Sequence, residues 1–396
     1  MLGSRFPRRR FLQGALAAGA FGRLVSFGQT TTSSDSWVLL GTQGTGIYRA
    51  RWNSRNGTLG TPELAVSTPK PTFLALHPRL PVVYACNEND GDAATVSAFT
   101  LDRATANLTA LGNPQITRGN SPCFVSVDRT GQLVFAANYG GGSLAAFPLD
   151  ATGTPAPAAK TFACKESGLC GTPGPVHERQ DGPHLHCAVL SPDNRFVLAC
   201  DLGDDAILAF PINPGQSASL GPVLGPVQRL PARLGSGPRH LAFHPNGRWL
   251  YCIHELDCTV DRYTWSSKAG VANAQLVQSS IVHLTQASEA LTGQPNTAAE
   301  VAISHDGQFL YACTRGIDRL SVFRIDAATG GLKLVQQLPC GGHMPRFFAL
   351  DPTESWLVCT NQDGNNLTVF SRDKTAGTLT AHGSQALTTP QCIVWV

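Results

Sequence analysis

Charged residues are scarce in this chain. Asp, Glu, Lys and Arg make up 14% of its 396 residues, and past the N-terminus nothing concentrates them. Of the 30 lysines and arginines, Arg5, Arg8, Arg9, Arg10 and Arg23 fall in the first 28 residues, a stretch without an acid; that leaves 25 basic against 27 acidic side chains. A nearly neutral body with no basic patch excludes nucleic acid and an anionic membrane surface as expected partners. Long apolar runs are missing as well: no segment approaches the ~20 residues of a spanning helix, so no membrane span is expected. Metal-site spacing is also absent. None of the twelve cysteines forms a C-x2-C pair, the mark of a structural zinc. His184 and His186 in DGPHLHC form an H-x-H pair whose rings share a face on a strand, yet no third ligand stands at a suitable spacing. The expectation is a protein without metal or cofactor.

Turn formers are abundant, with 40 Gly and 27 Pro, and they punctuate a repeat. Six copies of strand, turn, strand begin PTFLALHPRLPVVYACNE at Pro71, PCFVSVDRTGQLVFAANY at Pro122, HCAVLSPDNRFVLACDL at His186, PRHLAFHPNGRWLYCIHE at Pro238, AAEVAISHDGQFLYACTR at Ala298 and PRFFALDPTESWLVCTNQ at Pro345. Each is followed by further alternating strands such as TVSAFTLD or LTVFSRD. Hairpins recurring at roughly 50-residue spacing predict the blades of an all-β propeller. A seventh copy, PQCIVWV at Pro390, is cut off by the C-terminus, whereas Ser36 to Asn53 supplies the later strands of a blade without its first. A propeller whose ring must leave no open sheet edge joins the two. The expectation is therefore seven four-stranded blades over residues 36–396, closed by N- and C-terminal strands in one blade, behind a leader and short linker at 1–35.

That leader, PRRRFLQGALAAGAFGRL, resembles a twin-arginine export signal, with Arg8, Arg9, Phe11 and Leu12 on the motif. It implies the twin-arginine export machinery as a partner during secretion, and a periplasmic or extracellular location. Cys86, Cys200, Cys252, Cys313 and Cys359 stand near the ends of second strands and read as core residues. Cys164 and Cys170 flank KESGL in a Gly/Pro-rich insertion, where export would permit a local disulfide.

Aligning the copies on their turns selects candidate site residues. The start of each first strand and the end of each second strand meet on one rim of the channel. The first-strand column reads Thr72, Cys123, His186, Arg239, Ala299, Arg346, and the second-strand column reads Glu88, Tyr139, Leu202, Glu255, Arg315, Gln362. Both are more polar than their strands. Arg239 and Glu255 are equidistant from the Gly247 turn and should face each other. A ring of salt bridges closing the channel mouth is the structural alternative; acid, base and three arginines around one axis favour chemistry instead. His240, His244, His305 and His343 read as turn or satisfied strand histidines without a role.

The stretches GPRHLAFHPNGRWLY, AEVAISHDGQFLYACTRG, DGPHLHCAVLSPDNRFVLACDLG and MPRFFALDPTESWLVCTNQDGNNLTVF resemble the repeats of the lactonase family of seven-bladed propellers, which holds 6-phosphogluconolactonases and carboxymuconate cyclases. The resemblance covers essentially everything after Ser36. It implies a histidine, two arginines and a glutamate in the active site, which fall on His186, Arg239, Arg315 and Glu255. His254 replaces the family's usual Asn before the glutamate, and either residue can donate a hydrogen bond to the acid. The implied activity is a metal-independent carboxylic-ester hydrolase acting on a small-molecule lactone. Glu255 or His186 would be the base, with the other orienting it. Arg239 and Arg315 would hold the oxyanion or a substrate anion, with Arg346 assisting. His184, Glu88, Tyr139 and Gln362 complete the expected substrate-binding set. A 6-phosphogluconolactone-like substrate or an unphosphorylated aldonolactone both remain open. So do muconate cyclisation and a non-enzymatic propeller that binds a ligand or protein on its rim.

Overall fold

The computed structural model describes residues 35–158, 160–163, 171–213, 224–268, 271–277, 281–285, 289 and 295–396. The twin-arginine stretch and Cys164 and Cys170 lie outside the described residues.

Alternation of apolar and polar residues, broken every few residues by Asp-, Asn- and Gly-containing turns, folds each repeat as a meander of antiparallel strands. There are seven such sheets. Numbered by their inner strands, blade 1 begins at Pro71–Leu76, blade 2 at Pro122–Val127, blade 3 at Val189–Leu190, blade 4 at Pro238–Phe243, blade 5 at Thr297–Ile303 and blade 6 at Pro345–Leu350. Blade 7 takes its inner strand, Pro390–Trp395, from the C-terminus and pairs it with Asp35–Thr42 from the N-terminal side, followed by Gly46–Asn53. The expected seven-bladed, four-stranded propeller with a shared closing blade is thus observed. In three blades the outermost strand comes in two pieces.

Seven separate hydrophobic clusters, rather than one core, hold the ring together, and each spans two neighbouring blades. Cys86, Cys200, Cys252, Cys313 and Cys359 are all buried in these layers, as expected. A tyrosine on the second strand repeatedly locks one blade to the next: the hydroxyls of Tyr84, Tyr251 and Tyr311 donate to the carbonyls of Gly153, Gly330 and Gly377 at 2.7, 2.6 and 2.9 Å. Those glycines adopt φ of 84°, 73° and 78°, a turn conformation that strains residues bearing a Cβ.

The inner strands carry the feature that positions the site. Pairing between first and second strands slips by one residue at Thr72, Cys123, Arg239, Arg346 and Gln391, and at Ala299–Glu300 in blade 5. Each slip is a β-bulge, which re-aims side chains and breaks strict alternation. The first-strand column is therefore a ring of bulged residues. The residues that follow them, Phe73, Phe124, His240 and Phe347 among them, also reach the channel. Phe73 stacks on Phe124 at 4.1 Å and meets Phe347 edge-on at 5.4 Å, an apolar layer beneath the rim.

Candidate active site

Thr72, Phe73, Cys123, His186, Arg239, His240, Arg346, Phe347 and Gln391 line a small pocket on the channel axis. Three of its residues are among the expected site set. The remaining members of that set are distributed as follows.

Glu255 is 3% exposed and sits among three guanidiniums. Its Oε2 lies 3.0 Å from Arg239 Nε and 3.1 Å from Arg315 Nη2, and its Oε1 lies 2.5 Å from Arg179 Nη2. The facing geometry expected of Arg239 and Glu255 is present. Burial works to raise the pKa of Glu255, but Arg315, Arg239 and Arg179 outweigh it and hold the carboxyl well below the usual range. Blade 5 carbonyls anchor the guanidiniums: Arg239 Nη1 donates to Ala299 O at 2.5 Å and Arg315 Nη2 to Ala298 O at 3.0 Å. Burial, with Arg315 and Arg346 alongside, lowers Arg239 to about 10 against the pull of Glu255, so it stays charged at neutral pH.

His186 is 5% exposed, and its Nδ1 lies 3.2 Å from Nε2 of His240. His240 Nδ1 lies in turn 2.9 Å from Glu300 Oε2, whose other oxygen accepts from the Val301 amide at 2.9 Å. A carboxylate only accepts, so Nδ1 of His240 carries the proton. Its Nε2 therefore accepts, from Arg239 Nη1 at 3.3 Å and from Nδ1 of His186. Tautomers assigned from this network leave Nε2 as the basic atom of His186. Burial, then the charges of Arg239, His240 and Arg346, pushes His186 well below the ordinary imidazole value, so the ring is neutral at neutral pH.

Two expectations are corrected here. Among the described residues no hydrogen bond joins Glu255 to His186, so neither orients the other; His240 and Glu300 do that for His186. Nor does His254 serve Glu255. Its ring is fully buried inside the blade, 3.1 Å from Asp261. The reason is alternation: the last residue of the second strand faces away from the neighbour that follows it.

Tyr139 meets His186 edge-on at 5.4 Å and accepts from Arg179 Nη2 at 3.3 Å. His184 stacks on Tyr139 at 4.6 Å, and its ring nitrogens are occupied by Tyr139 O at 3.0 Å and Asp181 at 2.8 Å. It braces the wall rather than facing the pocket. Gln362 turns its amide to Asp363 at 3.0 Å and stands outside the pocket lining. Glu88 is half-buried next to Cys123 and Cys86, outside the pocket lining, with Oε2 unpartnered among the described residues. Arg346 enters the pocket without an acidic partner among the described residues. No group of three or more His, Cys, Asp and Glu among the described residues could hold a metal ion.

Four contributors escape a reading by columns. Gln391 occupies the bulge of the truncated seventh copy, and aligning PQCIVWV with PRHLAF would have found it. His240 and Glu300 follow bulged residues. Their polarity, in a column where blades 1, 2 and 6 place Phe, was the available signal. Arg179 comes from the insertion before blade 3, which no repeat alignment covers. Fully buried Gln180 pins that insertion by donating to Leu202 O at 2.9 Å.

With this geometry in hand, comparison with known proteins is specific. The sequence profile of a family described as "Lactonase, 7-bladed beta-propeller" matches residues 26–395. A 6-phosphogluconolactonase of Bacillus subtilis (strain 168) is 33% identical over 336 residues, 85% of this chain and 89% of the relative. A 6-phosphogluconolactonase of Formosa agariphila is 31% identical over 340 residues, 85% of this chain and 91% of the relative. Among solved structures, a periplasmic gluconolactonase of Pseudomonas aeruginosa superposes with a TM-score of 0.80 at 28% identity, covering 92% of this chain and 99% of its own.

Proposed function

The chain belongs to the lactonase family of seven-bladed β-propellers, and on that footing we propose that it opens the ring ester of a sugar-acid lactone by hydrolysis, without a metal. The observation that carries this reading is the chain of contacts Glu300–His240–His186 beside a cluster of arginines that lines the same pocket.

His186 is the base. Glu255 is unsuited to that task, because both of its oxygens are already engaged by guanidiniums. Nε2 of neutral His186 takes a proton from water as the water oxygen attacks the lactone carbonyl carbon. Glu300 and His240 fix the ring and its tautomer. Arg346 and Arg239 hold the oxyanion, while Glu255 keeps Arg239 and Arg315 in place. Collapse breaks the ring C–O bond, and the proton passes from His186 to the departing ring oxygen. The product is an open hydroxy acid, which ionises to the carboxylate by releasing its carboxyl proton to solvent, with His186 neutral again.

Metal independence is supported by the ring nitrogens of His184 being engaged by Tyr139 and Asp181; chelation followed by desalting should leave the rate unchanged. Export by the twin-arginine route is supported by Arg8, Arg9, Phe11 and Leu12 and by similarity to a periplasmic protein. Replacing Arg8 and Arg9 by Lys should keep the protein in the cytoplasm, as read by cell fractionation. The decisive experiment is hydrolysis of glucono-, galactono- and 6-phosphogluconolactone, corrected for spontaneous opening, by the wild type and His186→Gln. Turnover by the wild type that falls at least about 10²-fold in the variant is expected. Equal rates for the two proteins would overturn the assignment, and turnover of a carboxymuconate alone would point to the cyclase chemistry that the arginine cluster could also serve.

A further inference from the structure

The two halves of the pocket differ. Blades 3 to 6 supply His186, Arg239, Arg315 and Arg346, whereas blades 7, 1 and 2 supply Gln391, Thr72 and Cys123. In a ring of seven, the blade directly across the axis from the junction of blades 3 and 4 is blade 7. A lactone whose carbonyl sits against His186 and Arg239 therefore turns its far side to Gln391.

Gln391 is built for contact. It is 2% exposed, lines the pocket from a bulge, and neither its Oε1 nor its Nε2 has a hydrogen-bond partner among the described residues. A buried amide without partners costs stability, and such groups persist where something else satisfies them. Beside it on blade 1, Thr72 lines the same wall at 3% exposure.

We propose that Gln391, with Thr72, forms a subsite for the hydroxyl groups of an uncharged polyol ring and selects unphosphorylated sugar lactones over phosphorylated ones. The inference rests on the lactonase reading above. Each carbinol hydroxyl both donates and accepts, which matches an amide and a threonine hydroxyl. A phosphoryl group at neutral pH is chiefly an acceptor carrying nearly two negative charges. Against this flank it would face Gln391 Oε1, an acceptor that it cannot satisfy, and would meet no cation, since the pocket lining from blades 7, 1 and 2 carries none. Arg346 at the border is the one pocket guanidinium not shared with an acid.

The test combines kinetics with binding. Wild type, Gln391→Leu and Thr72→Val are assayed on glucono-δ-lactone and 6-phosphoglucono-δ-lactone, and titrated calorimetrically with 1,5-anhydroglucitol, a polyol ring that cannot be hydrolysed. Expected are a wild-type kcat/KM at least about 10-fold higher for the unphosphorylated lactone and a Gln391→Leu variant with KM raised roughly 5- to 30-fold, kcat within about 3-fold and 1,5-anhydroglucitol binding weakened in parallel. Thr72→Val should weaken 1,5-anhydroglucitol binding in the same direction. Melting temperature of Gln391→Leu should not fall, since an unpartnered amide is being removed. Preference for the phosphorylated lactone, or unchanged KM and binding in Gln391→Leu, overturns the proposal. If no lactone is turned over, the lactonase reading fails, while the anhydroglucitol titration still decides the subsite.

Discussion

Blade 4 brings together two arginine–carboxylate clusters of similar geometry and different character. At the channel, Arg239 meets Glu255 at 3.0 Å; inside the blade, Arg233 meets Asp261 at 2.8 Å. In the second cluster the groups balance: Arg233 also reaches Asp257 at 2.7 Å, and His254 lies 3.1 Å from Asp261. Burial disfavours the charged form of His254, but Cys252 and Asp261 beside it outweigh burial and raise its pKa. In the first cluster the cations outnumber the acid, with Arg179, Arg239 and Arg315 on one carboxylate. A buried ion pair is therefore no signature of function in itself. What distinguishes the channel cluster is its surplus charge, next to a cavity lined by Gln391, whose amide has no partner among the described residues.

The strongest perturbation of that comparison is loss of the ring itself. Deleting residues 390–396 opens two sheet edges and removes the wall opposite His186, so both clusters should be lost with all cooperative melting. A truncated chain that melts at the full-length temperature would contradict the shared blade. Next in size, His186→Gln should lower kcat by about 10² to 10⁴-fold with little change in melting, whereas His254→Asn in the inner cluster should leave kcat/KM within about 3-fold. Replacing an acid should destabilise at either place: Glu255→Gln and Asp261→Asn each strand buried cations, and breaking one partner of such a pair costs roughly 3–5 kcal/mol. Only the Glu255 variant should also lose activity per folded molecule, which denaturant melts combined with active-fraction assays can separate.

The smallest expected effects are in pH, and there the clusters have opposite signs. Glu255 titrates below its unfolded value of about 4.3, so its contribution is full above that pH and fades as pH falls toward the folded value. His254 titrates above its unfolded value of about 6.5, so its contribution is full below that pH and fades as pH rises past it. Melting temperature should accordingly fall on the alkaline side in wild type and less so in His254→Asn. The acid limb of kcat/KM should lie below 6.5, since His186 is lowered; a limb above that value would remove His186 as the base.

How much of this was legible in the chain can be read residue by residue. Arg239, Glu255, Arg315 and His186 emerged from aligning turns, because the repeat gives every blade the same frame and polar residues stand out against it. His240 and Glu300 did not, since a period of two assigns the residue after a rim position to the opposite face, and the bulge that overrides this depends on cross-strand pairing. Glu255 looked like a base in the columns, yet its environment includes Arg179, which arrives from an insertion outside the repeat.

The sequence by itself determined the blades, their number, the joining of both ends in one sheet and the ring of positions that face the channel, because these follow from local periodicity and from the need to leave no edge unpaired. Tertiary structure alone decided which of those positions hold protons and which hold charge. The protonation of Glu255 and His186 depends on burial and on guanidiniums from other blades, and those distances exist only once the ring has closed.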